Sequence, residues 1–204
     1  MKAKTVAHDG DMLDTPARFF HVERDLQHWL QEKEIDVTRW GLDAHKSLHD
    51  LWQEVVHGES RMHERTPHRS LHVTQVIVRR GDHILIEAEQ EFKRGGRRRR
   101  ERPPAEKMRP GETVAVASVR CLREELGVDV SRVTLRPESY WRSMFEGNPQ
   151  SYPGLRTRWH FHRIEALVEG LPGVDFVTEE AADNVDDPIG RHFWEWRPFS
   201  STIG

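Results

Sequence analysis

Apolar positions in the first third of the chain recur at helical spacing. Phe19, Phe20, Val22, Leu26, Trp29 and Leu30 make one stripe, which predicts a helix opened by Pro16 and running to about Lys33. The run from Asp36 to Gly41 reads as a turn. A second stripe, Leu48, Leu51, Trp52 and Val55, predicts a helix from Asp43 to about Val56, followed by Gly58 at its C-terminal end. From Ser70 the pattern changes. Residues 71–79, LHVTQVIVR, and 83–91, HILIEAEQE, are rich in β-branched types and flank Gly81-Asp82, so they predict two strands joined by a short turn. Gly95, Gly96, Pro103, Pro104 and Pro110 then predict an irregular loop over 93–110. A strong helix follows over 113–126, and later strands are expected near 132–136, 156–168 and 191–196. Two helices, a hairpin, a loop, a helix and further strands make an α+β chain.

The helix over 113–126 carries the most informative pattern. A helical wheel groups Ala115, Val119, Leu122 and Leu126 into one arc, the expected buried stripe. Cys121, Glu124 and Glu125 then fall on the opposite, exposed face, and Gly127 ends the helix. Paired carboxylates behind a glycine turn suit a hard cation, because Mg²⁺ and Mn²⁺ prefer oxygen ligands and phosphate partners. By itself such a pair is more often a solvated helix face.

Spacing sharpens that reading. The stretch resembles the Nudix box, G-x5-E-x7-R-E-U-x-E-E-x-G-U, with U a bulky aliphatic. Glu112, Arg120, Leu122, Glu124, Glu125, Gly127 and Val128 stand in register. Two positions depart from it: Glu106 stands at the first glycine, and Cys121 stands at the glutamate of R-E-U. The resemblance covers roughly residues 70–198. It implies a Nudix-type α/β/α sandwich around a mixed sheet, here with an N-terminal two-helix extension. The domains expected are a mobile leader over 1–15, the helical extension over 16–60 and a Nudix domain over 70–204. It also implies hydrolysis of a nucleoside diphosphate linked to another group, assisted by Mg or Mn. Glu124 and Glu125 would be metal ligands, with Arg120 orienting them and Glu112 and Gly127 holding the box together. An acid from a later loop would complete the site: Glu179 or Glu180 is preferred, with Asp186 and Asp187 as alternatives. A thiol is a poor Mg²⁺ ligand and a poor substitute for a carboxylate base. The activity is therefore expected to be impaired or altered, and the alternative is an inactive domain that binds a nucleotide, a signalling molecule or RNA.

Charge adds to this picture at one place. The net charge is −3, yet nine Lys or Arg lie between Lys93 and Arg109 against two Glu. Guanidinium groups match phosphate oxygens bidentately, so Lys107, Arg109, Arg97 and Arg99 are candidate substrate contacts. The rival readings of the arginine loop over 94–102 are an RNA surface and a charge-protected edge. Of the seven tryptophans, Trp194 or Trp196 could stack on a base, although packing is the commoner role. His160 and His162 share a strand face without further zinc-type ligands near them. One cysteine excludes an internal disulfide and fits a cytoplasmic protein. No apolar run approaches the ~20 residues of a membrane span, and the N-terminus lacks a signal-peptide core. The resemblance also admits a homodimer, since Nudix domains often dimerise.

Overall fold

The computed structural model describes residues 17–42, 45–179 and 189–199. The leader, Pro16, Asp43, Glu180, Asp186 and Asp187 lie outside these. The chain divides into two compact units, one built from Met1–His72 and Ser143–Phe161, the other from Val73–Arg142 and His162–Gly204. Helices and predominantly antiparallel strands make it α+β. No described helix is long and apolar enough to cross a membrane.

In the first unit, Ala17–Arg18 form a short strand β1 paired with β2, Arg61–His63. Helix α1 therefore starts only at Glu23 and runs to Glu32, and Phe19 of the expected stripe is 89% exposed. Its start is fixed by Asp25, whose carboxylate accepts the backbone N–H groups of His21 and Val22 at 3.2 and 3.4 Å. Helix α2, Leu48–Val56, starts where Ser47 and Asp50 cap each other reciprocally. Leu26, Trp29, Leu30 and Leu51 are fully buried with Met62, Tyr152 and Leu155.

The second unit holds the box. Strand β3, His68–Arg80, turns at Gly81 into β4, His83–Phe92. Strand β4 also pairs antiparallel with β5, Arg97–Arg102, and with β10, Ile189–Pro198, which in turn pairs with β9, Phe176–Glu179. Strand β6, Ala105–Lys107, lies along β3. Strands β7, Val133–Gly147, and β8, Thr157–Val168, pair with each other. Helix α3, Val114–Leu126, packs Cys121, Leu122 and Leu126 onto Val76, Val78, Leu85, Ala166 and Trp194.

Two expectations are corrected here. Residues 93–110 are not irregular: they carry β5 and β6. The arginines of β5 find cross-strand partners on β4, Arg97 with Glu89 and Glu91, Arg98 with Gln90, and Arg100 with Glu87. Such pairs stabilise a strand that composition alone disfavours. The second correction concerns α3. Its buried face is Ala117, Ser118, Cys121, Leu122, Glu125 and Leu126, and Ala115 is exposed. The face is shifted because Cys121 packs as a small apolar residue and Ser118 finds Thr74 Oγ1 at 2.8 Å.

Candidate active site

Helix α3 presents the box from a fixed frame. Thr113 caps its N-terminus by accepting the Val116 N–H, and Gly127 closes it in the left-handed region at φ 65°. Between these ends Arg120, only 9% exposed, collects the acids around it. Its Nε and Nη2 donate to the two Glu112 oxygens at 2.9 and 3.0 Å. Nη1 donates to Glu124 Oε2 at 3.0 Å and lies 3.9 Å from Glu106 Oε1. Nη2 also reaches the Lys107 carbonyl at 2.7 Å. Burial alone would lower the Arg120 value, and the three glutamates outweigh it, so the guanidinium stays charged. The Arg120 hydrogen bonds hold Glu112 below the usual carboxylate range despite its desolvation.

Glu125 occupies the opposite extreme. It is 7% exposed, and its Oε2 is buried without a hydrogen-bond partner. Burial, followed by the nearby charges of Glu87 and Glu106, pushes it well above the ordinary glutamate value. Glu87 on β4 is satisfied instead. It accepts from Arg100 Nε at 3.1 Å and meets His192 Nδ1 at 2.6 Å. Burial works to raise Glu87, but these partners leave it lowered. Cys121 is fully buried, and desolvation drives its thiol well above the free value, so the thiolate needed for nucleophilic or metal chemistry is suppressed.

The sequence-predicted residues divide by placement. Glu112, Arg120 and Glu124 are brought together; Glu125 and Cys121 lie on the same helix but face inward, not outward as expected. Lys107 meets Arg120 through its carbonyl, and Arg109 is 57% exposed in its side chain, 3.8 Å from Glu124. Arg97 is held by Glu89 and Glu91 and lies over the Phe193 ring at 4.2 Å, while Arg99 pairs with Glu101. Glu179 is exposed on β9. Its neighbour Thr178 is the residue that meets α3, donating to the Glu125 carbonyl at 2.6 Å, so strand alternation turns Glu179 to the other face. Trp194 is buried, with its indole N–H on Thr178 Oγ1 at 2.8 Å. His162 Nδ1 meets Tyr140 OH at 2.9 Å. Glu87 and His192 were missed by sequence reasoning. Leu85 and Glu87 share one face of β4 by alternation, and a charge at an inward position was the available signal.

The NUDIX domain family matches the chain over residues 68–196, and the chain belongs to that family. Similar solved structures include a C. elegans Ap4A hydrolase, 15% identical over 66% of this chain and 84% of that one, with a TM-score of 0.34. A NUDIX hydrolase from Nitrosomonas europaea is 18% identical over 62% of this chain and 72% of that one, with a TM-score of 0.34. A bifunctional NMN adenylyltransferase/ADP ribose pyrophosphatase from Francisella tularensis, complexed with AMP and a manganese ion, is 18% identical over 66% and 35%, with a TM-score of 0.33. No curated protein matches the chain.

Nudix domains generally use a divalent metal. Among the described residues, no group of three or more His, Cys, Asp or Glu is gathered as a metal site. The box acids Glu124 and Glu125 are hard oxygen donors of the type Mg²⁺ or Mn²⁺ takes, and Glu125 Oε2 is buried without a hydrogen-bond partner, but no third acid is gathered with them among the described residues.

Proposed function

We propose that this domain hydrolyses the pyrophosphate of a nucleoside diphosphate joined to another group, at a rate reduced or altered by the loss of the carboxylate at position 121. The observation that carries this reading is the Glu112–Arg120–Glu124 arrangement, in which one guanidinium holds both box glutamates at 2.9–3.0 Å. Glu112 anchors Arg120, and Arg120 fixes the Glu124 carboxylate. Glu125, together with Glu124, would hold the metal, Mg or Mn. When bound, that metal would neutralise charge on the phosphate oxygens and acidify the attacking water. In the reaction, the water oxygen bonds to phosphorus as the bridging P–O bond breaks, and the water proton passes to a base. Cys121 is not that base, because its thiol is buried and its ionisation suppressed. Arg109, exposed 3.8 Å from Glu124, would meet substrate phosphate on this reading.

A second reading is favoured by one observation, the burial of Cys121 in the apolar cluster. On that reading the domain binds its nucleotide without cleaving it. A panel of nucleoside triphosphates, sugar nucleotides and dinucleotides, each with Mg²⁺ or Mn²⁺, separates the two. Turnover that Glu125→Gln abolishes supports the hydrolase. Binding by calorimetry without turnover supports the binding domain.

A further inference from the structure

Strands β3 and β8 show two faces in the second unit. Val76, Val78 and Ala166 pack against α3, so alternation turns Gln75 on β3, and Arg163 and Glu165 on β8, to the other face. There Arg163 Nε donates to Gln75 Oε1 at 2.7 Å, and the guanidinium lies over the Trp141 ring of β7 at 4.8 Å. Gln75 is itself buried. These contacts take the Nε and one flat side of the group. They fix its plane, and the edge formed by Nη1 and Nη2 makes no hydrogen bond among the described residues.

Nor does Arg163 have a counter-charge among those residues. The acid two positions along the same face, Glu165, is committed to Arg79 at 2.7 Å. Burial lowers Arg163 below the usual arginine value and no acid raises it, the reverse of Arg120. A half-buried guanidinium in this state has lost solvation without gaining a partner, a cost that an oxyanion would offset. Its free edge carries parallel N–H donors at the spacing of phosphate oxygens. Trp141 beside it is 51% exposed, so aromatic surface stays open to a stacked base.

We propose that Arg163, Gln75 and Trp141 form a second binding site, on the sheet face turned away from the box, for the phosphate of a nucleotide whose base stacks on Trp141. Gln75 and Trp141 orient the guanidinium, and Arg163 makes the charge-assisted bonds. A purely structural Arg163 would serve only to tie β7 and β8 to β3. The site does not depend on the hydrolase reading, which concerns the box.

Calorimetry without divalent metal separates the two roles. AMP, ribose phosphate, adenosine and inorganic phosphate are titrated against the full chain, and AMP should bind most tightly. Arg163→Gln removes the charge and should weaken AMP by at least about tenfold, the loss of one charge-assisted hydrogen bond. Trp141→Ala should weaken AMP and leave ribose phosphate unchanged. If Arg163→Gln does not fold, Arg163→Lys, which keeps the charge but loses the planar fork, should also weaken AMP. Brominated AMP in crystals of the full chain should give a bromine anomalous peak beside Trp141. No AMP binding by the wild type, unchanged affinity in the Arg163 variants, or a bromine peak at the box alone would overturn the site. Ribose phosphate binding as tightly as AMP would overturn its assignment to a nucleotide.

Discussion

Replacing Arg120 by methionine keeps a long apolar stem and removes the charge that three glutamates share. The wild-type guanidinium makes four hydrogen bonds between 2.7 and 3.0 Å and is 9% exposed. Its principal partner Glu112 has a side chain only 8% exposed, so water cannot replace what is lost. Removing one member of a buried pair costs about 3–5 kcal/mol. For a chain of this size about 1 kcal/mol moves the melting temperature by about 2–4 °C, which gives a fall of roughly 6–20 °C at pH 7. The pH dependence is a sharper check. The folded value of Glu112 is depressed by Arg120, so its contribution is full above the unfolded value of 4.5 and is lost as pH falls through the folded value. Glu106 is raised by burial, so it costs stability at neutral pH, and that cost fades as it takes up a proton. Without Arg120 the first contribution disappears and the second cost grows. The deficit of Arg120→Met should therefore be largest near pH 7 and shrink toward pH 4. Thermal melts across that range provide the measurement. A loss below about 1 kcal/mol, the scale of an exposed ion pair, or a loss independent of pH, would refute the reasoning.

Glu125→Gln should stabilise the fold while removing activity. The folded value of Glu125 is raised, so its burial cost is present above the unfolded value of 4.5; the variant should melt higher than wild type at pH 7, and the gain should vanish as pH drops below that value. Paired melts and turnover assays check both halves. Cys121, fully buried with a suppressed thiolate, should resist Ellman's reagent in the native state and react fully in denaturant; rapid native labelling would contradict its placement. Cys121→Glu, though it restores the glutamate of R-E-U, should melt lower than wild type, because it buries another carboxylate among Glu125, Glu106 and Glu87. Gly127→Ala has open space for its new Cβ, so only the φ of 65° opposes it; a cost of about 1–2 kcal/mol is expected in denaturant melts.

The hairpin β3–β4 and helix α3 were legible because β-branched runs flanking a Gly-Asp turn, and a helix ended by Gly127, are local signals. The box was legible because seven positions stood in register. What escaped was decided by partners distant in sequence. The arginines of β5 read as a loop until Glu87, Glu89 and Glu91 on β4 paired with them. Helix α1 began late because Ala17 and Arg18 pair with a strand more than forty residues away. On α3 the wheel counted aliphatic residues, whereas the sheet buries Ser118, Cys121 and Glu125 as well. The position of Glu106 read as a defect, and its meeting with Arg120 depends on the pairing of β6 with β3.

Product release from a pyrophosphate panel tests the central claim most directly. Nucleoside triphosphates, sugar nucleotides and dinucleotides are incubated at high enzyme concentration with Mg²⁺ or Mn²⁺, and phosphate and nucleotide products are followed by chromatography. At least one substrate should be cleaved at its pyrophosphate, slowly and only with metal, and Glu125→Gln should abolish the reaction. No cleavage of any substrate, or cleavage that persists in Glu125→Gln, would contradict the account.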